Sequence, residues 1–338
     1  MRSIAKWMGV VCAAAASGLP LFEATAADAP PPTDQRAALA ETMKRQAALP
    51  DTPGTGRFPA MKEETASLAD HVIYRPARLD QLGSTKLGLY VFGNGACSND
   101  GASSRLHLLE IASHGYLAIA SGRIRTGPGA TAPPTTTPVP ASPTQGDAPR
   151  TLPTPPTSSA DLVSAIDWAL KQNDDPRSPY YKKIDPEAVA VSGYSCGGLQ
   201  ALEIAKDRRI KTVVIMNSGI FNPGTGAPIP GMNQQKSLLE TLRTPTLYIL
   251  GGETDIAYAN GSDDFERIEK VPVFLGNVLK VGHGGTYWEP NGGTAAAAVV
   301  AWLDWQLRND REAAKTFVGK DCGLCTDAAW SVEKKRID

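Results

Sequence analysis

The segment Gly193-Tyr194-Ser195-Cys196-Gly197 sets one serine between two glycines, after the alternating run Ala188 to Ser192 and ahead of Leu199, Leu202 and Ala205 at helical spacing. That order predicts a strand, a sharp turn and a helix, with the serine hydroxyl lifted out of the sheet. Side chains at positions 193 and 197 would collide with the turn or the neighbouring strand, which is why glycine stands there. A helix starting near Cys196 turns its free N–H groups toward any negative charge that develops beside Ser195. The chemistry this arrangement serves is nucleophilic acyl transfer.

A serine hydroxyl is a weak nucleophile near neutral pH and needs a base in hydrogen-bond reach, with a third group orienting that base. The chain has four histidines, and only His283 follows Ser195. It lies in Gly282-His283-Gly284-Gly285, after a short strand expected over Val278–Val281, in a loop flexible enough to bring the ring to the serine. His114, in a Ser-His-Gly turn, reads instead as a cap on the preceding helix. For the acid, Asp255 follows the apolar run Thr246 to Leu250 through Gly251-Gly252-Glu253-Thr254, a turn that can carry a carboxylate over the sheet edge. Glu253 is a rival in the same turn, whereas Asp263 and Asp264 read as ordinary carboxylates at a helix N-terminus.

The oxyanion of a tetrahedral intermediate would be held by the N–H of Cys196 and one N–H from the loop Asn94 to Cys97, with Asn94, Ala96 and Cys97 as candidates. Tyr287 and Trp288, close after the histidine, either line the acyl or alcohol pocket or pack at the sheet edge. Tyr194, next to the nucleophile, is equally open between the two.

Strands and helices must carry these loops, and their alternation predicts a mainly parallel sheet in one α/β domain with helices on both faces. Strands are expected at His71–Arg75, Lys86–Phe92, Gly115–Ala120, Ile210–Met216 and Thr246–Leu250, and helices at Leu106–Ser113, Asp161–Leu170 and Thr294–Leu307. Ser158 and Asp161 are spaced as a capping box for the second of these helices. A tract of Pro, Thr, Ala and Gly over 127–157 cannot build a core and reads as a surface insertion, with a lid as the other possibility. Residues 27–59, rich in Pro and Ala, read as an arm or partly disordered leader before a globular part over 60–338.

With 42% hydrophobic residues the chain can bury a substantial core, and a net charge of −1 with no basic stripe leaves no footprint for nucleic acid. Arg2 and Lys6, an apolar stretch from Trp7 to about Leu19 and the small-x-small site Ala24-Thr25-Ala26 resemble a cleaved export signal over 1–26. The apolar run is shorter than the roughly 20 residues a membrane span requires. A periplasmic or extracellular protein, monomeric and without a membrane span, is therefore expected. Without the leader the chain keeps Cys97, Cys196, Cys322 and Cys325, an even number that suits two disulfides in an oxidising compartment. Three pairings are possible; the favoured one clips Cys322 to Cys325 in a tail over 316–338 and joins Cys97 to Cys196. Zinc ligation by the Cys-x-x-Cys lacks a second pair of ligands at a recognisable spacing, so no metal is expected.

Taken in order, Gly193-Tyr194-Ser195-Cys196-Gly197, Gly251-Gly252-Glu253-Thr254-Asp255 and Gly282-His283-Gly284 resemble the α/β-hydrolase superfamily over roughly Lys86 to Leu307. Ala112-Ser113-His114-Gly115-Tyr116 is similar to the helix-to-strand junction of secreted dienelactone-hydrolase-like, cutinase-like and polyester-hydrolase-like enzymes. The resemblance implies an α/β-hydrolase fold and hydrolysis of an ester, small or polymeric, through an acyl-enzyme, with no cofactor. A peptidase or acyltransferase on the same triad, or a silent hydrolase fold that only binds, are the competing readings.

Overall fold

The computed structural model describes residue 41 and residues 44–131, 154–224 and 229–338. The sheet lies within the compact unit Thr42–Asp338. The expected export signal lies outside the described residues, as does most of the insertion.

Among the described residues, nine strands form one mixed sheet. They are β1 (Ala60–Thr65), β2 (Leu68–Pro76), β3 (Leu87–Gly93), β4 (Tyr116–Ser121), β5 (Ile184–Tyr194), β6 (Ile210–Met216), β7 (Thr246–Leu250), β8 (Val273–Val278) and β9 (Trp330–Lys335). The spatial order is β1-β2-β4-β3-β5-β6-β7-β8-β9. Strands β4, β3, β5, β6, β7 and β8 run parallel, while β2 pairs antiparallel with β4, β1 antiparallel with β2, and β9 antiparallel with β8. The longer helices are α1 (Arg105–Ser113), α2 (Ser159–Asp174), α3 (Cys196–Ile204), α4 (Tyr258–Arg267) and α5 (Gly293–Arg308).

Alternate residues of the central strands feed two separate cores. Leu89, Val91, Val189, Val191, Val213 and Ile215 pack with Leu162 and Ile166 of α2 and Leu199 and Leu202 of α3. Tyr90, Phe92, Ala190, Val214 and Met216 pack instead with Leu108 and Ile111 of α1 and Val299 and Trp302 of α5. A parallel strand covered on both faces reads as a near-continuous apolar run, and β3 and β4 are buried throughout. The capping box of Ser158 and Asp161 starts α2 as its spacing predicts.

The structure corrects the sequence reading in several places. The expected strand Val278–Val281 is displaced: β8 ends at Val278, and the residues beyond it form the approach to the histidine turn. The antiparallel edges β1 and β9 had no prediction, and the tail over 316–338 is not only a clip but supplies β9. The boundary at 59/60 also moves. The side chain of Arg105 is fully buried, and its guanidinium donates to Asp51 Oδ1 (3.1 Å) and to the carbonyls of Gln46 (3.0 Å) and Leu49 (2.6 Å). A buried cation without such partners carries a desolvation cost of several kcal/mol, so residues 46–51 belong to the globular unit. Thr55 and Phe58 extend the same attachment, hydrogen-bonding Glu110 and the carbonyl of Ser113 on α1.

Candidate active site

Ser195 stands between the end of β5 and the start of α3, with φ 52° and ψ −121°, a positive-φ conformation rarely adopted by a side-chain-bearing residue. The surrounding backbone leaves no room for a broader turn. A Cβ at Gly193 would lie 2.1 Å from the Gly197 carbonyl oxygen, and one at Gly197 would lie 2.0 Å from that of Gly93. The turn is pinned by the Ser195 N–H, which donates to the Met216 carbonyl (3.0 Å), and by the Ser218 hydroxyl, which donates to the Ser195 carbonyl (2.6 Å).

His283 occupies a single helical turn, Gly282–Gly284, reached from the end of β8. Its Nε2 is 2.9 Å from Ser195 Oγ and its Nδ1 is 2.6 Å from Asp255 Oδ1. An ionised carboxylate only accepts, so Nδ1 carries the proton and Nε2 is left to accept from the serine hydroxyl. Asp255, on the loop after β7, is 3% exposed. Burial works to raise its pKa, but hydrogen bonds from His283, the Ala257 N–H (2.9 Å), Asn217 Nδ2 (2.8 Å) and the Gly251 N–H (3.0 Å) outweigh it and hold the carboxyl below its ordinary value. The carboxylate thus stays charged opposite the imidazole.

Each rival acid is accounted for elsewhere. Glu253 is exposed. Asp263 and Asp264 lie within the second half of α4 rather than at its start, a correction to their reading as N-terminal carboxylates. Asp263 pairs with Arg267 and Lys236, and buried Asp264 binds Lys236 (2.6 Å), the Ile220 N–H (2.8 Å) and the Tyr248 hydroxyl (3.2 Å). His114 stands at the C-cap position of α1, where its backbone N–H donates to the carbonyls of Ile111 and Ala112, while its ring binds the Glu110 side chain, Nε2 3.0 Å from Oε1.

The loop after β3 folds into a tight turn in which Ala96 (φ 54°) and Cys97 (φ 45°) are both left-handed. Its Cys97 N–H donates to the Asn94 carbonyl (3.1 Å), and Asn94 Nδ2 donates to the carbonyls of Ser98 (2.9 Å) and Ser121 (2.6 Å). The Cys97 amide is therefore committed, leaving the backbone N–H groups of Asn94 and Ala96 as candidate donors beside that of Cys196. Cys97 and Cys196 form a disulfide with their Cα atoms 5.2 Å apart, and Cys322 and Cys325 form the other, at 4.9 Å. Among the described residues, no cluster of His, Cys, Asp and Glu could hold a metal ion.

The aromatic candidates divide. Tyr287 is 2% exposed, its ring packed 4.5 Å from that of Tyr194 and 5.8 Å from that of His107. It belongs to the interior, not to a pocket wall, because the turn around Gly285 folds over its ring: a Cβ on Gly285 would lie 2.7 Å from Tyr287 Cε2. Trp288 is half-buried against the same core, and Tyr194 is half-buried beside His283.

Sequence reasoning did not single out Asn217. It has φ 45°, donates to Asp255, and follows β6 directly. Its position at the carboxyl end of a central parallel strand is the signal that could have found it. No family model and no curated protein matches this chain.

Proposed function

We propose that the chain is an exported serine hydrolase of the α/β-hydrolase fold that cleaves carboxylic esters. The observation that carries this reading is the continuous hydrogen-bonded line from Ser195 Oγ through His283 to Asp255. A nucleophile on a strained strand-to-helix turn, with its acid and histidine on loops after later strands, is the arrangement this fold uses. Two disulfides, and no helix among the described residues long and apolar enough to cross a membrane, suit an exported protein.

In this reading His283 Nε2 takes the Ser195 proton as Oγ bonds to the ester carbonyl carbon, and the carbonyl oxygen becomes an oxyanion facing the Cys196 N–H and an N–H from Asn94 or Ala96. The imidazolium, stabilised by Asp255, returns the proton to the departing alcohol and leaves an acyl-serine. Water then attacks the acyl carbon while His283 takes its proton, and the acid leaves as Ser195 is reprotonated. Ile256, 78% exposed next to Asp255, is an apolar side chain on the acid loop that suits an apolar ester.

Hydrolysis of p-nitrophenyl acetate, butyrate and octanoate by the protein and by Ser195→Ala tests this. We expect saturable turnover by the wild type and a loss of at least about a thousandfold in the variant. Equal background rates would overturn the reading, and peptide amides cleaved as fast as esters would replace it with a peptidase.

A further inference from the structure

The base of this triad is carried on an unusually pliable support. Gly282 (φ 63°) and Gly285 (φ 56°) bracket the turn that bears His283, and Gly284 lies between them. Glycine has the widest conformational freedom of any residue, so side-chain packing within the turn cannot hold the imidazole in place. Backbone hydrogen bonds tie its start, with the Gly282 N–H donating to the Gly251 carbonyl (2.9 Å) and the Gly285 N–H to the Gly282 carbonyl (3.2 Å). The carbonyl of His283 itself is bound by a side chain: the Tyr194 hydroxyl donates to it at 2.8 Å.

Tyr194 meets the rest of the site on two further sides. It is covalently attached to Ser195, and its ring lies against the loop after β3, where a Cβ on Gly95 would come within 2.5 Å of ring carbons Cδ1 and Cε1. The ring also lies 5.4 Å from the His283 ring and 4.5 Å from that of buried Tyr287. Burial, aided by the charge of Asp255, pushes the Tyr194 hydroxyl up to about 12, so it stays protonated and able to donate throughout the neutral range.

We infer that Tyr194 is a positioning residue of this site: its hydroxyl fixes the His283 backbone so that Nε2 meets Ser195 Oγ, while its ring sets the loop carrying Asn94 and Ala96 against the nucleophile. The inference rests on the serine-hydrolase reading. It assigns to position x of Gly-x-Ser-x-Gly a role distinct from lining a substrate pocket. The hydroxyl governs the base, and the ring governs the oxyanion loop.

The test compares Tyr194→Phe and Tyr194→Leu with the wild type, using steady-state hydrolysis of p-nitrophenyl butyrate, the rate of covalent Ser195 labelling by a fluorophosphonate, and thermal denaturation. Tyr194→Phe keeps the ring and removes one hydrogen bond; it should lower kcat and the labelling rate about 10-fold, with KM within about twofold and the melting temperature nearly unchanged. Tyr194→Leu should lose more of both rates. A Tyr194→Phe variant with wild-type kcat and labelling rate overturns the inference, as does one whose only defect is a higher KM, which would make Tyr194 a substrate contact. A wild-type protein that neither turns over ester nor takes the label defeats the serine-hydrolase reading itself, a result distinct from either of these.

Discussion

At the residue scale the site depends on Asp255 remaining charged and aimed. Its four hydrogen bonds come from three directions: the histidine it orients, the Asn217 amide, and the N–H groups of its own loop at Gly251 and Ala257. Asp255→Asn keeps the shape but allows the side-chain amide to face Nδ1, favouring the tautomer with Nε2 protonated, which cannot accept from Ser195. We expect kcat on p-nitrophenyl butyrate to fall by about a thousandfold or more with little change in KM. The same substitution reports on stability. Because the folded carboxyl titrates below its ordinary value, the stabilisation it supplies is complete above the unfolded pKa of about 3.9 and is lost as pH falls through the lower, folded value. Melting temperatures measured from pH 6 down to pH 2 should therefore fall less steeply in Asp255→Asn than in the wild type.

At the element scale the disulfide between Cys97 and Cys196 joins the loop after β3 to the first residue of α3. Both cysteines are buried, at 0% and 5% exposure, while Cys325 of the other disulfide is partly exposed. A mild reductant should open Cys322–Cys325 first and leave ester turnover intact, which thiol alkylation followed by peptide mapping would read. The double variant Cys97→Ala/Cys196→Ala removes a cross-link spanning 99 residues of sequence. The chain entropy of such a loop corresponds to about 4.7 kcal/mol, so the melting temperature should fall by several degrees. Because the tether links both halves of the proposed oxyanion hole, kcat should fall as well. A stable variant with unchanged kcat would show that the turn of Asn94 to Cys97 holds its shape without the link.

At the scale of the whole molecule the hydrogen-bonded line from Ser195 to Asp255 is built on loops after separate strands of the sheet's parallel core and supported by the tail. Strand β9 covers the edge of β8, pairing Val273 with Lys335 through to Val278 with Trp330, and the Leu279 N–H donates to the Ala329 carbonyl just before the histidine turn. The Trp330 ring lies against Gly276, where a Cβ would come 2.8 Å from it. Truncation after Asp327 should leave β8 as a bare edge. We expect a lower melting temperature, aggregation during purification and reduced kcat, measured by calorimetry, light scattering and ester hydrolysis. Full activity in a monomeric truncated protein would show that the contacts of Gly251, Asn217 and Tyr194 hold the histidine turn without β9.

Much of this was legible in the residues themselves. Glycines around Ser195 mark a turn that only glycine permits; a lone histidine after the serine leaves one candidate base; and long apolar runs such as Lys86–Phe92 declare buried strands, because a parallel strand has no solvent face. Local chemistry suffices for these. The short polar edges β1 and β9 were not legible, since their pairing depends on partners far along the chain, and β8 was displaced because the apolar approach to His283 resembles strand. Sequence favoured the observed disulfide pairing of the three possible without fixing it, and it could not show that residues 46–51 satisfy buried Arg105 or that Tyr287 packs in the interior. Those outcomes turn on which groups meet in space when both faces of the sheet are covered, and only the tertiary structure decides that.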